Sequence, residues 1–233
     1  PQVPLLRVGE NVNDKTGSTV THHVGGGKGE IIGSASGDIL VGDVGGASIE
    51  NRTQDYNFLF VLDNSGSMGS ADTPGSKLAL LIEAVQHLVS DLGDYDNGKI
   101  KVHFTPFSTT AHGGATFEVT TTAGLTAALN WLGNFETDNG FTNYESALQA
   151  GITWLQGTEP LKNALNISYF VSDGEPNRFV TSANPSQEGS ADASMAQITG
   201  VDGTNEVQIL KGLSAEVIGV GIDTARYGHR VTF

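Results

Sequence analysis

Three apolar runs in this chain end at or within two residues of an aspartate: Phe58 to Leu62 leads into Asp63, Ile167 to Val171 is followed by Ser172 and Asp173, and AEVIGVGID closes on Asp223. Runs this short and this uniformly apolar read as strands buried on both faces, which is the condition of a parallel sheet. What lies between them carries a different period. Leu78, Leu81, Ile82, Val85, Leu88, Val89 and Leu92 recur at spacings of three and four, the stripe of an amphipathic helix. Pro74 near its start and Gly93 at its end punctuate it in the favoured order.

The rest of the chain repeats this alternation. IKVHFTPFST (100–109) reads as a strand that alternates until Pro106, and TFEVTT (116–121) as a short one. LTAALNWLGNF (125–135) and TNYESALQAGITWLQ (142–156) read as helices, the second with Thr142 as cap and Glu145 completing a capping box. From Asn177 to Gly203 the sequence reads as a long polar loop with one helical turn, followed by a short helix over Glu206 to Leu213. Alternating strands and helices predict an α/β fold, a doubly wound and mostly parallel sheet flanked by helices, over residues 51–233. Residues 1–50 differ: they are rich in Gly, Asp, Asn, Thr and Ser and read as a small β-type segment of tight turns. Ligands in doubly wound sheets sit outside the carboxyl ends of the strands, where Asp63, Asp173 and Asp223 fall.

Twelve basic against 26 acidic residues give a net charge of −14, which repels phosphate backbones and anionic lipid and so disfavours nucleic-acid binding and membrane insertion. No run approaches the roughly 18 apolar residues of a membrane span. The absence of cysteine removes disulfides, thiolate metal sites and cysteine nucleophiles together. A start at Pro1 and an end in a strand-like run at Phe233 lead to the expectation of a piece of a longer chain.

The turn after the first strand, DNSGSMG, presents Asp63, Ser65 and Ser67 at alternate positions with Gly66 and Gly69 among them. Small oxygen ligands on a glycine-containing turn suit a hard cation, Mg²⁺ or Ca²⁺. Hydroxyls are weak ligands alone, so a second carboxylate is expected from elsewhere, and Asp173 before Gly174 is the obvious source. An N-cap cluster is the plain alternative for Asp63, Ser65 and Ser67, but the helix begins several residues later.

These residues match a family. DNSGSMG at 63–69, FTNYESAL at 141–148 and FVSDGEPN at 170–177 resemble the three loops of the metal-ion-dependent adhesion site in von Willebrand factor type A domains. The resemblance implies a metal site of Asp63, Ser65, Ser67 and Thr142, with Asp173 joining directly or through water, and an open position for a partner's carboxylate. Phe141 departs from the pattern, standing where a small residue commonly precedes the threonine. The preceding segment sharpens the likeness: GKGEIIG and SGDILVG repeat at eight residues and resemble RTX calcium turns, which makes Asp38 and Asp43 candidates for a second, structural calcium. A type A domain behind such a segment resembles the C-terminal region of large bacterial RTX adhesins exported by type I secretion.

The function this implies is a divalent-cation-dependent adhesion module, extracellular at the bacterial cell surface. It would bind a protein or glycan through an acidic group, in attachment or biofilm formation, beside neighbouring domains of one long adhesin. It is not expected to be an enzyme. Two readings stand against it: a calcium-rigidified spacer without a ligand, and a serine hydrolase in which Ser65-Gly66-Ser67-Met68-Gly69 forms the nucleophile turn with Asp223 and His229 downstream. The six histidines include no H-x-x-x-H, so zinc is not expected, and Trp131 and Trp154, among leucines on helical segments, read as core.

Overall fold

A computed structural model of the chain describes residues 53–222 and two short strands nearer the start, β1 (Leu6–Val8) and β2 (Ile39–Val41). The chain divides into two compact units, Pro1–Asn51 and Arg52–Phe233. In the first, β1 and β2 pair in parallel with Leu6 opposite Ile39. Asp38, Asp43, Asp223 and His229 lie outside the described residues.

In the second unit the order is β3 (Tyr56–Asp63), a 3-10 turn (Gly66–Met68), α1 (Lys77–Gly93), β4 (Ile100–Phe107), β5 (Ala115–Glu118), α2 (Thr122–Gly133) and α3 (Tyr144–Gln156). It continues with β6 (Leu165–Ser172), the two-residue strands β7 (Arg178–Phe179) and β8 (Gln187–Glu188), α4 (Ala191–Ile198), α5 (Glu206–Leu213) and β9 (Glu216–Gly221). Five strands form the main sheet in the order β5-β4-β3-β6-β9. All neighbours are parallel except β5, which runs antiparallel to β4. The fold is α/β with a mostly parallel central sheet covered by helices. Among the described residues no helix is long and apolar enough to cross a membrane.

The central strand organises both layers. Every residue of β3 after Tyr56 is buried, and its side chains alternate between two cores. Phe58, Phe60 and Leu62 pack with Leu78, Leu81, Val85 and Val89 of α1 and with Ala128 and Leu132 of α2. Leu59 and Val61 pack on the other face with Ala147, Leu148 and Ile152 of α3, Ile198 of α4 and Leu210 of α5. Full burial of each such side chain contributes about 1.5–3 kcal/mol before entropy is counted. The two tryptophans divide likewise. Trp131 of α2 stacks on Phe104 at 4.8 Å, while Trp154 of α3 belongs to the opposite core and stacks on His103 at 4.7 Å.

Chain order places a reversal at β3. After β3 the chain builds β4 and β5 on one side, then crosses to build β6 and β9 on the other. The crevice at the carboxyl ends of β3 and β6 therefore lies where the winding reverses, the position at which such sheets take ligands.

Three local expectations change. Helix α3 starts after Asn143, whose Oδ1 accepts from Ser146 N at 3.1 Å, so Asn143 and not Thr142 is its cap. The capping box fails because Glu145 points away, accepting from Val180 N at 2.7 Å. The strand expected over 100–109 runs through Pro106 as read, but it ends two residues early, at Phe107. The Pro106 carbonyl accepts from His112 N, on the side where β5 has already ended at Ala115 opposite Phe104, so the missing N–H costs no ladder bond. Finally, 177–203 is not a plain loop. It holds the β7–β8 ribbon and the helix α4, begun by Ser190, which accepts from Ala193 N.

Close approach between α3 and β3 rests on Gly151, where an added Cβ would come 2.8 Å from Leu59 Cδ2. Gly151→Ala is expected to lower the urea unfolding free energy by about 1–3 kcal/mol. In the Leu59→Ala background the same change should cost much less, a coupling that a double-mutant cycle measures.

Candidate functional site

Each loop of the site is fixed by the element before it. Strand β3 ends with Asp63 fully buried, and the chain then turns so that Ser65 N donates to Asp63 Oδ1 at 2.8 Å. Met68, 1% exposed, plugs the 3-10 turn into the core and holds Ser65 and Ser67 at the rim. Strand β6 ends in Ser172, whose hydroxyl donates to Asp63 Oδ2 at 2.6 Å, and Asp173 follows it. Ser67 Oγ lies 3.2 Å from Ser65 Oγ and donates to Asp173 Oδ1 at 2.9 Å. Asp63, Ser65, Ser67 and Asp173, up to 110 residues apart in sequence, thus meet as one hydrogen-bonded oxygen cluster.

The third loop is seated against the first. Gly66 N donates to the Gly140 carbonyl at 3.0 Å and Asp138 N to the Asn64 carbonyl at 2.9 Å. Gly140 is required there, since a Cβ would fall 2.5 Å from Thr109 Oγ1 and 2.9 Å from Ser108 Oγ. Thr142 follows, 6% exposed, with its N–H donating to Asn177 Oδ1 and its carbonyl accepting from Asn177 N and Arg178 N. The backbone is thereby committed, and among the described residues no hydrogen bond engages its hydroxyl. Thr142 shares the rim but has no direct bond to the other four. Phe141 does not crowd it: the residue is 49% exposed and its ring carries the Arg178 guanidinium 3.6 Å above the centroid.

Three contributors were not legible in the sequence. Ser172 stands inside the SDG motif, yet nothing in its spacing says that its hydroxyl serves Asp63. Tyr144 shares its hydroxyl between Ser172 Oγ, 2.9 Å away, and the Gly174 carbonyl. Lys77, the first residue of α1, places Nζ 2.6 Å from Asp173 Oδ2.

Charge at the cluster is uneven. Asp63 has no Lys or Arg against it among the described residues, and burial pushes its carboxyl up to about 6, against the Ser172 and Ser65 hydrogen bonds that favour the ionised form. The negative charge of Asp173 nearby adds to the rise. Burial raises the Tyr144 phenol as well. Among the described residues no three His, Asp or Glu side chains converge to hold a metal, so an ion here would rest on hydroxyls beside two carboxylates. That donor set is all oxygen, as Mg²⁺ or Ca²⁺ requires, and the buried, uncompensated Asp63 carboxylate is what a cation would relieve. The residues fit such an ion.

The model of the von Willebrand factor type A domain matches residues 58–175, just over half of the chain, taking in the first two motif loops and the third as far as Glu175. The chain belongs to that family. Among solved structures, this type A domain is similar to the PilB minor pilin from Streptococcus sanguinis, at 24% identity over 56% of this chain and 33% of that one, with a TM-score of 0.45. The chain thus spans about a third of that protein's length. It is similar to a von Willebrand factor type A protein from Catenulispora acidiphila, at 19% identity over 73% of this chain and 34% of that one, TM-score 0.46. It is also similar to the vWF domain of the type V pili tip protein Mfa5 from Porphyromonas gingivalis, at 19% identity over 55% and 42%, TM-score 0.39. No curated protein matches the chain.

The Asp63 carboxyl generates a pH signature with a definite sign. Its folded value, about 6, lies above the 3.8 of an unperturbed aspartate, so between these values the folded type A domain holds a proton that the unfolded chain has lost. Stability from this group is therefore greatest below about pH 4 and falls as pH rises through 6. In EDTA, the difference in urea unfolding free energy between wild type and Asp63→Asn should shift by roughly 2–3 kcal/mol against the wild type on going from pH 4 to pH 7. Titrated denaturation curves of the two proteins measure it.

Proposed function

We propose that this type A domain is a divalent-cation-dependent adhesion module, in which Asp63, Ser65, Ser67, Thr142 and Asp173 hold Mg²⁺ or Ca²⁺ and the ion captures an acidic group of a partner. The single observation that carries this reading is the convergence of Asp63, Ser65, Ser67 and Asp173 from the ends of two neighbouring strands into one oxygen cluster. The bound ion would supply a Lewis-acidic positive charge at the rim.

What the chain's own residues do follows from their bonds. Ser65 N and Ser172 Oγ fix the two Asp63 oxygens, so the carboxylate is oriented before any ion arrives. Ser67 ties Asp173 to the first loop and keeps the two carboxylates on one rim. Thr142, with its backbone bound to the 177–178 segment, has its hydroxyl to offer. Two carboxylates at most balance the ion's charge, and the hydroxyls that complete the set are weak donors, so an open position on the ion stays attractive to an acidic ligand. The reading is of a binding module and not an enzyme: among the described residues Ser67 Oγ is bonded to Ser65 and Asp173, and no histidine hydrogen-bonds to it as a base. We propose further that the module works outside the cell as part of a secreted bacterial adhesin of RTX type, on a protein or glycan ligand. The acidic, cysteine-free composition suits a chain that is exported unfolded and made rigid by external calcium.

Isothermal titration of Mg²⁺ and Ca²⁺ into wild type and Asp63→Ala tests the site. The wild type should bind one ion at this site and melt at a higher temperature with ion than in EDTA. Asp63→Ala should keep its circular dichroism spectrum and lose the ion-dependent heat. Equal ion binding by the two proteins defeats the proposal. A peptide and glycan array probed with and without the ion then separates adhesion, with ion-dependent spots, from a purely rigidifying role, with none.

A further inference from the structure

The two carboxylates of the cluster are treated differently, and the difference comes from Lys77. Asp63 spends its oxygens on a backbone N–H and a hydroxyl. Asp173 spends one oxygen on the Ser67 hydroxyl and the other on the Lys77 ammonium, 2.6 Å away. The Asp173 side chain is 1% exposed and that of Lys77 25%, so the ammonium closes over the carboxylate from the solvent side. Helix stability does not explain this lysine. It is the first residue of α1, at the positive end of the helix dipole, and the first turn carries no acidic residue to balance it. Nor is this a loose surface pair, because one member is withdrawn from water and screening between the two is weak.

Asp63 and Asp173 with Lys77 leave the cluster at −1, and a dication brings it to +1; with a neutral residue at position 77 the same two states would be −2 and 0. Resting on the cation reading given above, we propose that Lys77 is a resident counter-cation. It lowers the cluster's affinity for the divalent ion and leaves the loaded site net positive, and so sets its preference for an anionic, carboxylate-bearing partner. Lys77 is a specificity-determining residue, acting through Asp173.

The test is calorimetric titration of MgCl₂ and, separately, CaCl₂ into the whole chain carrying Lys77, Lys77→Met, Lys77→Gln or Lys77→Arg. Repulsion between the ammonium and a dication that would be held by the carboxylate it touches predicts an ion Kd lower by about tenfold or more in Lys77→Met and Lys77→Gln. Lys77→Arg, which keeps the charge, should stay within about threefold of wild type on the same argument. Lys77→Gln retains a donor for Asp173 and covers the case in which Lys77→Met folds poorly. An independent readout comes from melting: in EDTA the neutral variants should melt below wild type, and saturating ion should raise their Tm by more than it raises the wild type's. Equal or weaker ion binding by the neutral variants overturns the role of Lys77 while the cation site stands. Absence of ion binding in all four proteins overturns the cation site and this inference together.

Discussion

A carboxylate at the end of a central strand, with no solvent around it, survives only if the surrounding chain supplies donors. Asp63 is in that position because β3 is enclosed between two helical layers, and its last residue ends where both neighbouring strands end too. The donors, Ser65 N and Ser172 Oγ, come from the turn after β3 and from the end of β6. Tyr144, planted by the first turn of α3, stands behind Ser172. One buried charge thus ties together three loops that are remote in sequence, and the crevice they form follows from that requirement. The uneven treatment of the two carboxylates, one met by neutral donors and one by an ammonium, gives the crevice its electrostatic character.

How far the sequence alone could lead depended on whether a feature is local. The strands β3 and β6 and the helix α1 carry their own signatures, uniform apolarity or a three-four stripe, because burial on two faces or one is written residue by residue. The motif aspartates and serines were legible for the same reason. Each stands at a strand end, where an apolar run breaks into polar residues. Thr142 was legible as a rim residue through family resemblance but misplaced as a helix cap. An Asx cap one position later is an equally good signal, and the decision fell to the 177–178 backbone, which pins Thr142 from outside the helix.

What stayed hidden depends on tertiary placement. The β7–β8 ribbon has two residues per strand, too few for any alternation to show. Lys77 reads as the exposed start of a helix until β6 brings Asp173, 96 residues later, to its side chain. Ser172 reads as the spacer of a motif until the register of β3 against β6, Leu62 beside Val171, sets it next to Asp63.

The placement of the two indoles has an optical consequence. Trp131 lies in the layer of α1 and α2, Trp154 in the layer of α3, α4 and α5, and each is stacked on a ring of β4, Phe104 and His103 respectively. With one emitter on either side of the same strand, replacing one indole at a time turns intrinsic fluorescence into a separate gauge of each layer. Coincident or staggered loss of the two signals then reveals whether the halves of the sandwich come apart as a single cooperative unit.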